Sequence, residues 1–156
     1  MPQENQKIDA MDRKLLEILQ HDSSCSLEEI STKTAMSANT AWRRIKRLEE
    51  VGVITKRVAL IDPQSVGLGM TVFVGIKTSE HSDQWLHDFA KAVATIPEVV
   101  EFYRMSGDTD YLLKILVESI SDYDRVYKKL IRSAKISDVS SSFAMETIKY
   151  TTSVPL

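Results

Sequence analysis

The spacing of apolar residues changes once along this chain, and the change divides it in two. Through the first fifty positions, apolar residues recur every three or four places, the period of a helix face. Ile8, Met11, Leu15 and Leu19 form one such stripe and predict an amphipathic helix over 9–20, with Asp9 as its N-cap. Ser26-Leu27-Glu28-Glu29 has the spacing of a capping box, in which the Ser26 hydroxyl and the Glu29 carboxylate satisfy each other's free amides. It predicts a short helix as far as Lys33, with Leu27 and Ile30 turned inward. Ser37 offers a further N-cap, for a third helix through Glu50 that Gly52 stops. The inward stripe of that helix is Ala38, Ala41, Ile45 and Leu48. Helix, short helix, tight turn and helix together make a helix-turn-helix.

Residues 53–61 are β-branched and apolar around Lys56 and Arg57, and predict a strand, part hinge and part wing. Asp62-Pro63 closes it, and Gly67-Leu68-Gly69 supplies a flexible junction with too few glycines for a nucleotide site. Beyond residue 70 a two-residue period enters. Residues 70–78 alternate Val72, Val74 and Ile76 inward as a strand. Residues 83–95 place Leu86, Phe89 and Val93 at helical spacing before Pro97. A strand over 99–106, a turn at Gly107-Asp108-Thr109 and a returning strand over 110–118 follow. A helix over 121–134 turns Tyr123, Tyr127, Leu130 and Ala134 inward, and 138–150 form a last strand. The order is βαββαβ, a ferredoxin-like sandwich. The fold class is therefore α+β: a winged helix-turn-helix domain with its hinge strand over 1–62, a linker over 63–70, and the ferredoxin-like domain over 71–156.

One strand bears on assembly. Residues 111–117 are apolar on both faces, while helices in this topology cover one side of the sheet only. A second subunit is the economical cover. A two-fold dimer also suits a helix-turn-helix, because two recognition helices then meet half-sites about 34 Å apart.

Composition removes several classes. No apolar run approaches the ~18 residues that span a bilayer, and the polar residues 1–7 are not those of a secretory signal. A single cysteine excludes an internal disulfide framework and a cysteine-based zinc site, and fits a reducing cytoplasm. Twenty Lys and Arg against 22 Asp and Glu give a net charge of −2, which by itself argues against a nucleic-acid partner. The distribution argues otherwise. Residues 43–57 hold Arg43, Arg44, Lys46, Arg47, Lys56 and Arg57 against two acids, Glu49 and Glu50, a net +4.

The outward face of the third helix carries Asn39, Thr40, Arg43, Lys46 and Arg47. Asn pairs with an adenine edge, Arg with guanine, and Thr touches a thymine methyl, all in a groove wide enough for a helix. Ser37 and the helix's first amides suit a phosphate, as does Arg44 on one flank. On the other flank stands Trp42, whose expected role is packing against the first helix rather than stacking on nucleic acid. A solvated basic face remains the bland alternative, but mixing Asn and Thr among the cations favours double-stranded DNA.

Catalytic readings fare worse. Asp108 and Asp110 have no third ligand nearby, and His81 and His87 do not share a helix face. Ser140, Ser141 and Ser142 lack a His or Asp at motif distance, and Cys25 reads as a buried structural thiol rather than a redox sensor. The chain is not expected to be an enzyme, nor to need a metal or bound cofactor.

Asp12-Arg13-Lys14-Leu15-Leu16, then Ser37 through Arg44-Ile45-Lys46-Arg47-Leu48-Glu49-Glu50-Val51-Gly52-Val53-Ile54, and Leu60-Ile61-Asp62-Pro63 resemble the DNA-binding half of the Lrp/AsnC family. These are the "feast/famine" transcription regulators. Gly107-Asp108-Thr109-Asp110-Tyr111 resembles the G-D-x-D-Y motif of their effector domain, and residues 143–155 resemble their final strand and Thr-rich tail. Two turns depart from the family pattern: Ala35 stands where a glycine is usual, and Ile136-Ser137-Asp138 where Pro-Gly is usual. Trp42 and Phe143-Ala144-Met145-Glu146 are similar to a proteobacterial branch that includes regulators of cysteine and sulfur amino-acid catabolism.

The resemblance implies a cytoplasmic, nucleoid-associated regulator that forms homodimers and, in many members, octamers. It implies that a free amino acid binds between dimers and modulates assembly or DNA affinity. Carried onto this chain, that site would comprise Tyr103, Arg104, Met105, Ser106, Gly107, Asp108, Thr109 and Asp110, with Ser141 or Ser142 of a neighbouring chain. Turn amides would hold the α-carboxylate and Asp108 or Asp110 the α-ammonium. The alternative for the aspartates is a plain hairpin turn, which favours the same residue types. The alternative function is an architectural DNA-binding protein that needs no effector.

Overall fold

The computed structural model describes residues 8–156 and divides the chain into two compact units. The first contains residues up to 59 together with 149–156; the second spans Leu60–Ile148.

Three helices build the first unit: α1 (Ala10–His21), α2 (Leu27–Thr34) and α3 (Ala38–Glu50). Side chains set where each begins. Asp9 and Asp12 close a capping box on α1, Ser26 and Glu29 close another on α2, and the Ser37 hydroxyl accepts from the Thr40 amide on α3. Leu15, Ile30, Ala41 and Ile45 form the core, with Ile18, Leu19, Cys25, Leu27, Met36 and Ile54 against it. The tight turn between α2 and α3 runs through Ala35, which holds φ +56°. An L-residue there crowds its Cβ against the carbonyl, the strain that glycine avoids.

The strand expected over 53–61 does not form. Residues 55–62 carry no ladder, and Val58, Leu60 and Ile61 are exposed. A β-prone run becomes a strand only against a partner strand, and the first unit holds none among its described residues. The helix-turn-helix therefore has no wing here. The last eight residues also depart from expectation, since they belong to the first unit. The Gln20 side chain grips the Val154 backbone at both ends, Nε2 donating to the carbonyl at 3.1 Å and the amide donating to Oε1 at 3.0 Å.

The second unit is a four-stranded antiparallel sheet: β1 (Met70–Lys77), β2 (Val99–Arg104), β3 (Tyr111–Val117) and β4 (Asp138–Phe143), in the order β2-β3-β1-β4. Helices α4 (Asp83–Val93) and α5 (Ile120–Ser133) complete the βαββαβ sandwich. Val72, Val74 and Ile76 of β1 and Tyr111, Leu113, Ile115 and Val117 of β3 bury one sheet face against Trp85, Phe89, Val93, Tyr123, Val126 and Leu130. Trp85 and Val126 lie deeper than the expected Leu86 and Tyr127, which pack at the core's edge. The last strand stops at Phe143 rather than 150: one more bond follows, from the Ala144 amide to the Thr71 carbonyl at 2.9 Å, and the ladder then ends near the start of β1.

Register defines the opposite face. Phe73 stands across from Lys114 and Ser142, and Gly75 across from Leu112 and Ser140. Thr71, Leu116, Glu101 and Tyr103 share this side by strand alternation. No helix of this unit covers it, and Phe73 and Tyr103 remain 39% and 49% exposed.

Candidate functional site

Two groups of residues carry chemistry. The first is the outer surface of α3. Burying Ala41, Ile45 and Leu48 turns Asn39, Thr40, Trp42, Arg43 and Lys46 to solvent. Hydrogen bonding then separates these residues. Ser37 and Thr40 hydroxyls bond each other at 2.8 Å, and Lys46 pairs with Glu49 at 3.0 Å. Arg44 donates to Asp9 at 2.7 Å and to Asp12 at 2.9 Å, and Arg47 donates to the second Asp12 oxygen at 2.5 Å. Asn39 and Arg43 have no polar partner among the described residues.

Asp12 is the residue that sequence reasoning missed. Its side chain is 1% exposed, yet it carries a charge held by two guanidinium groups. Burial pushes its pKa up, but hydrogen bonds from Arg47 and Arg44 prevail and hold the carboxyl below its ordinary range. The Asp9 carboxyl is lowered as well, chiefly by the Arg44 hydrogen bond, and Arg44 is raised in return. A signal existed. Ile8, Asp12, Leu15 and Leu19 follow i, i+4, i+7, i+11 spacing, so a carboxylate stands on the buried stripe and demands a cation. Trp42 departs from expectation. It leads Arg44 by two residues, about 160° around the helix, so it faces away from α1 and is 47% exposed.

The second group surrounds the turn joining β2 and β3. Gly107 holds φ +116°, a conformation L side chains rarely adopt, and the Met105 amide donates to the Asp110 carbonyl at 2.8 Å. Asp110 is committed: its amide donates to the Ile76 carbonyl at 3.0 Å and its carboxylate accepts the Thr78 amide at 2.8 Å. Those bonds tie the turn to the end of β1. Arg104, Ser106 and Asp108 are exposed, as is Met105. Asp108 has no polar partner among the described residues. The Thr109 methyl lies over Gly75, where an added Cβ would meet it at 3.3 Å.

Tyr103 donates from its hydroxyl to Glu101 at 2.7 Å, and Lys114 donates to the other Glu101 oxygen at 2.9 Å. The Tyr103 phenol is raised by that carboxylate. The two serines separate cleanly. Ser141 points to the helix side and bonds the Tyr123 hydroxyl, whereas Ser142 lies on the open side, opposite Phe73. Among the described residues no group of three His, Cys, Asp or Glu is arranged to hold a metal.

The Lrp/AsnC ligand binding domain family matches residues 71–154, and the AsnC-type helix-turn-helix domain family matches residues 8–49. The chain is 55% identical over 150 residues to the glutamate uptake regulatory protein of Zymomonas mobilis, covering 96% of this chain and 92% of that protein. It is 47% identical over 150 residues to the DNA-binding transcriptional activator DecR of Escherichia coli, covering 96% and 99%. A solved transcriptional regulator from Neisseria meningitidis, in complex with L-methionine, matches with a TM-score of 0.90 at 33% identity, over 96% of this chain and 97% of that one. These relatives are regulators rather than enzymes. A helix-turn-helix with an arginine-rich outer helix, followed by a βαββαβ unit matched along its length, places this chain in the Lrp/AsnC family of DNA-binding transcription regulators.

Proposed function

We propose that α3 reads base edges through Asn39 and Arg43, and that a free amino acid at the turn after β2 modulates how the chain assembles on DNA. The observation that carries the DNA contact is the contrast on α3: Thr40, Arg44, Lys46 and Arg47 are tied within the unit, while the outward Asn39 and Arg43 have no partner there among the described residues. Both are exposed, and an amide and a guanidinium are the groups that pair bidentately with adenine and guanine. Trp42 adds an apolar surface of the kind that contacts thymine methyl groups. Ser37, Thr40, Lys46, Arg44 and Arg47 supply the surrounding contacts to phosphate.

The ligand reading draws on the Neisseria protein's L-methionine complex and on the turn's free chemistry. Asp108 is the carboxylate available for an α-ammonium, since Asp110 is spent on the Thr78 amide. The backbone amides of the exposed Ser106, Gly107 and Asp108 suit the α-carboxylate, with Met105, Tyr103 and Arg104 beside them. Of the two serines, Ser142 is the one assigned to a neighbouring chain's site, a reading supported by its position on the open face and by the bond of Ser141 to Tyr123. The open sheet face takes a second copy of the chain as its cover, and dimers associate further, toward an octamer. The effector then acts by binding one assembly more tightly than another, and assembly sets how many α3 helices engage DNA together. The protein works in the cytoplasm, on the nucleoid.

Titration with each of the twenty amino acids, read by DNA affinity and by mass in solution, tests this. At least one, with methionine and cysteine foremost, shifts one of the two readouts, and Asp108→Asn abolishes the shift. If none moves either readout, the sensor reading fails and an effector-independent DNA-binding protein takes its place.

A further inference from the structure

Arg44 is a DNA-facing cation already occupied by a carboxylate. It bridges two aspartates of unlike exposure: Asp12, whose side chain is 1% exposed, and Asp9, whose side chain is 51% exposed. Around them lies a hollow of about 470 Å³, lined by Asp9, Asp12, Thr40, Arg43, Arg44 and Arg47. Three guanidinium groups and a hydroxyl on one wall make this a place for an oxyanion. Its lining includes Thr40 and Arg43, which are exposed on the outer surface of α3, where a DNA backbone would pass. The buried Asp12 is locked by Arg47 as well as Arg44, so it stays. Asp9 is half in water; its Oδ1 caps α1 and only its Oδ2 holds Arg44, so that one contact can open while the cap remains.

We propose that Asp9 is a built-in competitor for DNA phosphate: in the free protein its carboxylate sits on Arg44 where a phosphate sits in the complex. The inference rests on α3 being the DNA-reading face. An exposed carboxylate–guanidinium pair is weak, and a phosphate with its neighbours on the strand outbids it at low salt. The exchange nonetheless subtracts one favourable contact from every encounter. Because phosphate carries no sequence, the subtraction falls equally on all DNA and keeps a protein with an arginine-rich helix off random sequence. Asp12 meanwhile keeps Arg47 and the tilt of α3 fixed during the exchange.

The charge can be removed without removing the helix cap. Asn serves as an N-cap as well as Asp does, so Asp9→Asn retains the bond from the Asp12 amide while removing the Asp9 charge from Arg44, which Asp12 alone then holds. Binding of the full chain is measured across a salt series on two duplexes, one of random sequence and one selected by the wild-type chain from a randomised pool. Asp9→Asn is expected to tighten both by about fivefold at 0.15 M salt and to steepen the log–log salt slope by about one. The gain disappears in the Arg44→Ala background, which separates release of this arginine from a general loss of negative charge. Arg43→Ala checks the underlying face and weakens the selected duplex about tenfold or more.

Unchanged or weaker binding by Asp9→Asn, with Arg43→Ala behaving as expected, overturns the competitor and leaves Asp9 a tether between α1 and α3. A gain that persists without Arg44 overturns it equally. If Arg43→Ala binds like wild type, the face itself is misassigned and the inference falls with it.

Discussion

Asp12 shows how one side chain alters the meaning of its neighbours. A carboxylate almost without solvent contact is tolerable only because two guanidinium groups reach it from α3. Its folded pKa lies below the ordinary 3.8, so the pair contributes stability at pH values above the unfolded pKa. That contribution is lost as pH falls through about 4 toward the lower folded value. Asp12→Asn is therefore expected to lower the stability of the first unit at pH 7 by about 1–3 kcal/mol. The gap between the urea midpoints of variant and wild type should narrow steadily as pH falls below about 4, as the unfolded carboxyl takes up its proton before the folded one. A gap that persists undiminished at pH 3 would show that packing, not charge, holds this position. Within the sequence, Asn39 and Arg43 were legible as outward groups from helical phase alone. That Arg44 and Arg47 are tied to α1 was not, because the pairing spans more than thirty positions. Trp42 failed for a related reason: phase gives a residue's direction, while the side on which α1 packs is a tertiary fact.

At the scale of elements, the helix starts were the most legible features. Asp9 with Asp12, and Ser26 with Glu29, are local hydrogen-bond arrangements whose partners lie three residues apart. The strand expected at 53–61 and the long last strand failed because a ladder depends on what lies alongside. Ala35 lies between these cases. Its departure from the family's usual glycine is visible in sequence, and its positive φ shows the consequence. Relief of left-handed crowding, about 1–2 kcal/mol, exceeds the extra chain entropy of glycine in the unfolded state, about 0.4–1 kcal/mol. Ala35→Gly should accordingly raise stability by roughly 0.5–1 kcal/mol. A higher urea midpoint with an unchanged slope is the expected result. A lower midpoint would mean that the exposed Ala35 methyl makes contacts worth more than the strain.

At the scale of the whole molecule, averages mislead. A net charge of −2 conceals an outer helix rich in arginine and acids that are partly spent on it, Asp9, Asp12 and Glu49 among them. The sheet conceals a similar asymmetry, with one face closed by α4 and α5 and the other open. On the open face Phe73, Leu112, Leu116 and Tyr103 surround the ion pair of Lys114 with Glu101. Charge at that centre is already balanced, so the remaining apolar area is what a second copy would bury. Phe73→Glu tests this with little cost to the chain itself, because the new carboxylate would stand in register with Lys114, on a strand already formed. The variant is expected to keep its helical signal and lose at least half its mass in light scattering. Losing the assembly also loses simultaneous engagement of two recognition helices, so DNA affinity should fall by about a hundredfold. The linkage between the two losses is the informative part. If mass halves while affinity holds, one α3 suffices for binding and the effector cannot act through assembly. If mass and affinity both survive, the open face is not the surface through which copies of this chain meet.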